Sequence, residues 1–156
     1  INTGYSRSYG NYPYGDYRTN HSTIIFPVNH NDGRLNAKER VLGVIGDKGS
    51  KAYRIADFPE VEVFVDSIFT EKYLVYANHG ENLIAAFKLT DLYEDLAFST
   101  TSSPLPHIIK HNNGNNYDLF GKSENTGEID LLPAKSFIAY WFAWAAFYPA
   151  TELYEK

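Results

Sequence analysis

The sequence predicts an α+β fold, mainly an antiparallel β-sheet of short strands with one buried C-terminal helix. Three observations predict it. Short runs of β-branched and aromatic residues recur between residues 40 and 100, separated by polar turns, which is the pattern of a meander. Two of those runs flank a five-residue loop rich in glycine, the spacing of a hairpin. Finally, residues 137–148 are twelve apolar residues without interruption, bounded by Ser136 and Pro149.

Taken in chain order, residues 1–18 carry Tyr5, Tyr9, Tyr12, Tyr14 and Tyr17 among Gly4, Gly10, Pro13 and Gly15, with neither helical nor alternating periodicity. They read as an extended N-terminal arm, and residues 19–156 read as a single domain. Residues 22–28 predict a strand that loses a donor at Pro27 and therefore ends there or lies at an edge. Residues 29–33 form a turn. The hairpin pairs 40–45 with 51–55 across residues 46–50. Strands over 62–66, 73–76 and 83–89 continue the meander, and residues 93–99 add a further strand. Regularity breaks at 100–106 around Pro104 and Pro106, and Asn112 to Asn116 is a turn before 117–121.

The final apolar run predicts a helix with Ser136 as N-cap and Pro149 as stop. At about 1.5 Å per residue it spans roughly 18 Å, short of the roughly 30 Å hydrocarbon core of a bilayer, so no membrane span is expected. A helix apolar on every side has to be surrounded by protein.

Composition narrows the function classes. The chain has 156 residues and a formal charge of −5, without a Lys/Arg cluster, so a nucleic-acid partner is not expected. It has no cysteine, which excludes disulfides, thiolate metal sites, iron–sulfur clusters and thiol nucleophiles. The start at Ile1-Asn2-Thr3 and the thirteen tyrosines fit a processed, secreted chain in an extracytoplasmic setting.

Several blocks together resemble the bacterial and archaeal domain of unknown function DUF3179. They are Tyr12-Pro-Tyr-Gly-Asp-Tyr17, Phe26-Pro-Val28, Lys38-Glu-Arg-Val-Leu-Gly43, Lys51-Ala-Tyr53, Asp118-Leu-Phe-Gly121 and the segment from Trp141 to Pro149. The resemblance covers most of the chain, with the blocks in family order. Family members commonly carry a Cys-Pro-Leu-Cys or Cys-Pro-Leu-Thr segment after a turn that Val65-Asp-Ser-Ile68 resembles. Here the following stretch, Tyr73 to Asn82, contains no cysteine, so any chemistry resting on that thiol is closed to this chain. The resemblance brings no reaction with it; it implies a fold and an extracytoplasmic location.

No residue pattern names a reaction. There is no Gly-x-Ser-x-Gly elbow, phosphate loop or dinucleotide fingerprint. Of the five histidines, His107 and His111 fall on an extended segment, about 13 Å apart and too far for one metal. His30, His79 and Glu81 lie in polar loops, where a composite metal or ligand site competes with ordinary solvated side chains. The turn at 29–33 lacks the ligand spacing of a calcium loop. The acidic groups Glu60/Glu62 and Asp91/Glu94/Asp95 read as solvated faces rather than catalytic pairs. Asn20-His-Ser22 is a glycosylation sequon.

The tyrosine arm has three readings: it wraps its own domain, it is donated to the sheet edge of a neighbouring subunit, or it offers rings for stacking on sugars. The function expected is accordingly a secreted, non-catalytic structural or interaction module that self-assembles through its arm. Its partners would be a homo-oligomer or filament, or a glycan, and no cofactor is expected. The alternative is a ligand- or metal-binding protein, or an enzyme, with its site in the His/Asn/Glu loops.

Overall fold

A glycine-bearing turn and two β-branched flanks make the first hairpin, β1 (Arg40–Ile45) and β2 (Ser50–Arg54), paired antiparallel with Leu42 opposite Tyr53. The computed structural model describes residue 4, residues 10–91, residue 93 and residues 97–156. Next come β3 (Glu62–Ile68), β4 (Glu71–Asn78) and β5 (Leu83–Leu89), an antiparallel meander as expected. A third group holds β6 (Phe98–Thr100), β7 (His107–His111) and β8 (Asn116–Asp118). The chain finishes with β9 (Leu132–Pro133), β10 (Ser136–Tyr140), the only α-helix among the described residues, α1 (Trp141–Phe147), and β11 (Glu152–Leu153).

These strands form three sheets, ordered β10-β1-β2-β11, β3-β4-β5-β9 and β6-β7-β8. All pairings are antiparallel except the two-residue β11–β2 pair. Side chains alternate between faces, and the core follows that alternation. Leu42, Val44 and Tyr53 of the first sheet meet Tyr73, Val75, Ala77, Ile84 and Ala86 of the second. Leu74, Tyr76, Phe87 and Leu89 turn the other way and meet Ile109 and Tyr117 of the third. Strand β4 is therefore covered on both sides, which explains its five consecutive buried residues, Tyr73 to Ala77. Each fully buried large apolar side chain contributes about 1.5–3 kcal/mol, so this strand anchors the stack.

The outer face of the first sheet carries α1. Val41 and Ala52 pack against Trp141, Trp144 and Ala145. Gly43 lies beneath the Trp144 ring: a Cβ there would stand 2.1 Å from the ring, so only glycine lets the indole rest on the strand. Trp144 Nε1 donates to Thr151 Oγ1 at 3.0 Å and Trp141 Nε1 donates to the Asp32 carbonyl at 2.9 Å, which satisfies both buried indoles.

Two expectations need correction. The apolar run at 137–148 is not one helix buried on every side. Its first part is β10, paired with β1 from Arg40↔Tyr140 to Val44↔Ser136, and helix begins only at Trp141. The aromatic and β-branched residues Phe137, Ile138 and Tyr140 suit a strand, and pairing with β1 decides between the two structures. Ser136 is thus no N-cap. The first helical N–H groups, on Trp141 and Phe142, donate instead to the carbonyls of Glu39 and Ala37 at 2.7 and 2.9 Å. One face of α1 is buried, while Phe147 on the other is 81% exposed.

The strand expected at 22–28 is also absent. Asn20 Oδ1 accepts the N–H groups of Ser22 and Thr23 at 3.1 and 3.2 Å, taking the donors a ladder would need, and Pro27 offers none. Of the strand expected at 93–99, the structure forms β6 from Phe98 onward; residues 94–96 lie outside the described residues.

Candidate functional site

His79 and Glu81 sit in the β4–β5 turn. The His79 N–H donates to the Phe58 carbonyl at 3.3 Å, and the Glu81 N–H donates to Asn78 Oδ1 at 3.1 Å. His79 lines a small cavity of about 180 Å³ with His21, Lys38, Glu39, Arg40 and Asn82. His30 belongs to a different loop, beside Asp32. Among the described residues, no three His, Asp or Glu side chains are grouped to hold a metal ion.

Residues 17 and 20 are tied to the rest of the chain through Lys38. The buried Lys38 ammonium donates to the carbonyls of Tyr17 and of Asn20, the latter at 2.7 Å, and lies 3.3 Å from the centre of the Tyr17 ring. Tyr12 and Tyr14 meet edge to face at 5.5 Å, with the Arg18 guanidinium 4.2 Å over Tyr12. Both rings remain exposed. Tyr5 and Tyr9 lie outside the described residues. The sequon residue Asn20 uses its amide locally, donating to Asp16 at 3.3 Å as well as accepting from Ser22 and Thr23.

A cavity of about 680 Å³ opens where β2 and β11 meet β3. Lys51 and Tyr53 point to the same face of β2, and Asp66 of β3 faces them. Asp66 accepts from Lys51 Nζ and from the Tyr53 hydroxyl, each at 2.9 Å. Lys51 also donates to the Ser67 carbonyl at 3.0 Å and lies 3.5 Å from Glu152. Burial, then the adjacent Asp66 charge, pushes the Tyr53 phenol well above its ordinary value, so it stays a donor. Arg34, at the mouth, is held by Asp32 and donates to the Thr151 carbonyl at 3.1 Å. Those hydrogen bonds keep the Asp32 carboxyl below the usual range. The cluster is internally paired: it ties two sheets together and presents neither a free base nor an activated nucleophile. The blocks holding Lys51, Tyr53 and Asp66 are visible in the sequence, but their meeting across two sheets is not.

The opposite margin has another character. Strand β10 ends the first sheet and, among the described residues, pairs with β1 alone. Ile45 N–H donates to the Lys135 carbonyl at 2.9 Å and Trp141 N–H to the Glu39 carbonyl at 2.7 Å, which fixes the register of the pair. The backbone groups of Phe137 and Ala139 consequently face β1, and those of Ser136, Ile138 and Tyr140 face away from it. Beside this edge runs a groove of about 340 Å³, lined by Ile84, Ala86, Phe120, Pro133, Phe137 and Ile138 among others. Phe120 is 75% exposed, Leu132 54% and Ile138 44%. A strand with one open edge beside an apolar groove can take a further strand, backbone bonds giving affinity and the groove receiving alternate side chains.

No helix among the described residues is long and apolar enough to cross a membrane. No curated protein and no solved structure matches the chain. The family model described as "Protein of unknown function (DUF3179)" matches residues 1–151, in keeping with the blocks distributed from Tyr12 to Pro149. The chain belongs to the DUF3179 family.

Proposed function

We propose that this chain is a non-catalytic interaction module, working outside the cytoplasm, that accepts an extended protein segment along β10. The observation that carries this reading is the outward-facing backbone of Ser136, Ile138 and Tyr140 beside an apolar groove. Protected edges carry a lysine, a proline, a bulge or a cover, and β10 (Ser-Phe-Ile-Ala-Tyr) carries no charge or proline. The internal pairing of the Lys51, Tyr53 and Asp66 cluster supports the non-catalytic part, and the absence of the family's cysteine supports it further. The tyrosine-rich composition supports the location. The arm supports the module from its own side, since its base is tied to Lys38 and its exposed Tyr12 and Tyr14 extend the contact surface.

The test uses a labelled seven-residue peptide of alternating threonine and valine with lysine ends, titrated with the dilute protein and read by fluorescence anisotropy. Saturable binding is expected in the range of about 10–100 μM, as suits a contact of small area. Ile138→Pro removes only an outward donor and leaves the bonds to β1, so it should abolish binding without unfolding the chain. Absence of saturable binding, or binding indifferent to Ile138→Pro, overturns the proposal.

A further inference from the structure

We infer that the segment received by β10 is the β10 of a second copy of this chain, in an antiparallel pair with its twofold axis at Ile138. The inference rests on the strand-accepting reading above and adds the identity of the partner. Three observations carry it.

The first is register. Because Ser136, Ile138 and Tyr140 direct their backbone groups outward, an antiparallel copy can form closely bonded pairs at these residues alone. Placing Ile138 opposite the partner's Ile138 puts Ser136 opposite the partner's Tyr140 and Tyr140 opposite the partner's Ser136. All three outward residues then pair at once. The two outer pairs set small against large around the central Ile138 pair, and all lie on the face that Ile138 shares with Leu42, toward the second sheet. The first sheet becomes continuous through both copies.

The second is charge. Each chain carries a net −5, which disfavours a close approach of two copies over most of the surface. Strand β10 has no charged residue, and the groove beside it is lined by apolar side chains, so repulsion is least along this margin. The third is area. Phe120, Leu132, Ile138 and Tyr140, with Phe137 on the opposite face of the strand, expose roughly 500 Å² per copy; a pair that covered all of it would bury about 1,000 Å², the threshold for a specific but reversible dimer.

Sedimentation velocity from about 5 μM to about 1 mM tests this, with amide exchange measured across the same range. The sedimenting mass should rise to that of two chains, and the Ile138 and Tyr140 amides should gain protection in step. Ile138→Lys and Ile138→Glu each place like charges directly opposite at the axis, and each should weaken dimerisation at least about tenfold. An equimolar mixture of the two places Lys against Glu, and should return affinity to within about threefold of the parent. A chain that stays monomeric at the highest concentration overturns the inference, as does a dimer untouched by both variants or a mixture that fails to recover. Should either variant fail to fold, the exchange measurement on the parent chain decides: protection of Ile138 independent of concentration overturns it. Peptide binding retained by a strictly monomeric chain separates failure of this inference from failure of the strand-accepting reading.

Discussion

The two lateral margins of the stacked sheets are finished in opposite ways. Where β2 and β11 meet β3, Lys51, Tyr53, Asp66 and Glu152 interlock, Lys156 pairs with Glu62, and Tyr154 stacks on Phe64 at 5.1 Å. Where β10 closes the first sheet, no charged residue stands on the strand, and Ile138 and Phe120 face solvent. One margin spends its polar groups on joining two layers. The other leaves the outward backbone of three residues without a strand partner among the described residues. Polar groups fixed between sheets specify how the layers stack, whereas an open apolar edge specifies what can be added to them.

The largest test of that contrast is Asp66→Ala. It takes the acceptor from the buried Tyr53 hydroxyl and leaves the mostly buried Lys51 ammonium with only the Ser67 carbonyl and Glu152, and should lower stability by about 2–3 kcal/mol in urea unfolding with an unchanged m-value. Asp66→Asn keeps an acceptor for Tyr53 and should cost about half as much. A loss under about 0.5 kcal/mol for Asp66→Ala would show the polar margin to be ornamental.

A smaller effect is expected at the Asp32–Arg34 clamp, which holds the loop that receives Trp141. The Asp32 carboxyl is held below the ordinary range by the Arg34 hydrogen bonds, so its ionised form contributes stability above the ordinary carboxylate value of about 3.9. That contribution fades as pH falls through the depressed folded value. Melting temperatures of the parent and Asp32→Asn should therefore differ at pH 7 and converge toward pH 2; parallel curves would remove Asp32 from the account. The smallest expected effect is Ile138→Thr, which shortens a half-exposed side chain and should change monomer stability by less than about 0.5 kcal/mol. A larger loss in urea unfolding would mean that the open margin is as structural as the closed one.

Much of the fold was legible because its signals are local. The β1–β2 hairpin follows from Gly46 and Gly49 between two β-branched runs, and the β3–β4–β5 meander from short alternating segments and polar turns. The division at Tyr140 was not legible: twelve apolar residues contain no polar punctuation, and only the partner strand β1 decides where extended chain gives way to helix. Residues 22–28 misled because capture of their donors by Asn20 is not a propensity. Among the candidate site residues, His79 shares a cavity lining with His21, a relation set by loops whose separation no spacing rule supplies. The openness of β10 is likewise a property of sheet order, settled by strands far apart in sequence.

The seven-residue helix draws its first two acceptors from Ala37 and Glu39, about a hundred positions earlier in the chain. A segment that short does not persist alone in water. It acquires regular structure only once the long loop between residues 39 and 141 has closed, which places it late in the order of assembly. Both tryptophans of the protein ride on it. Their emission during refolding therefore reports the closing step of the reaction rather than the early collapse of the meander.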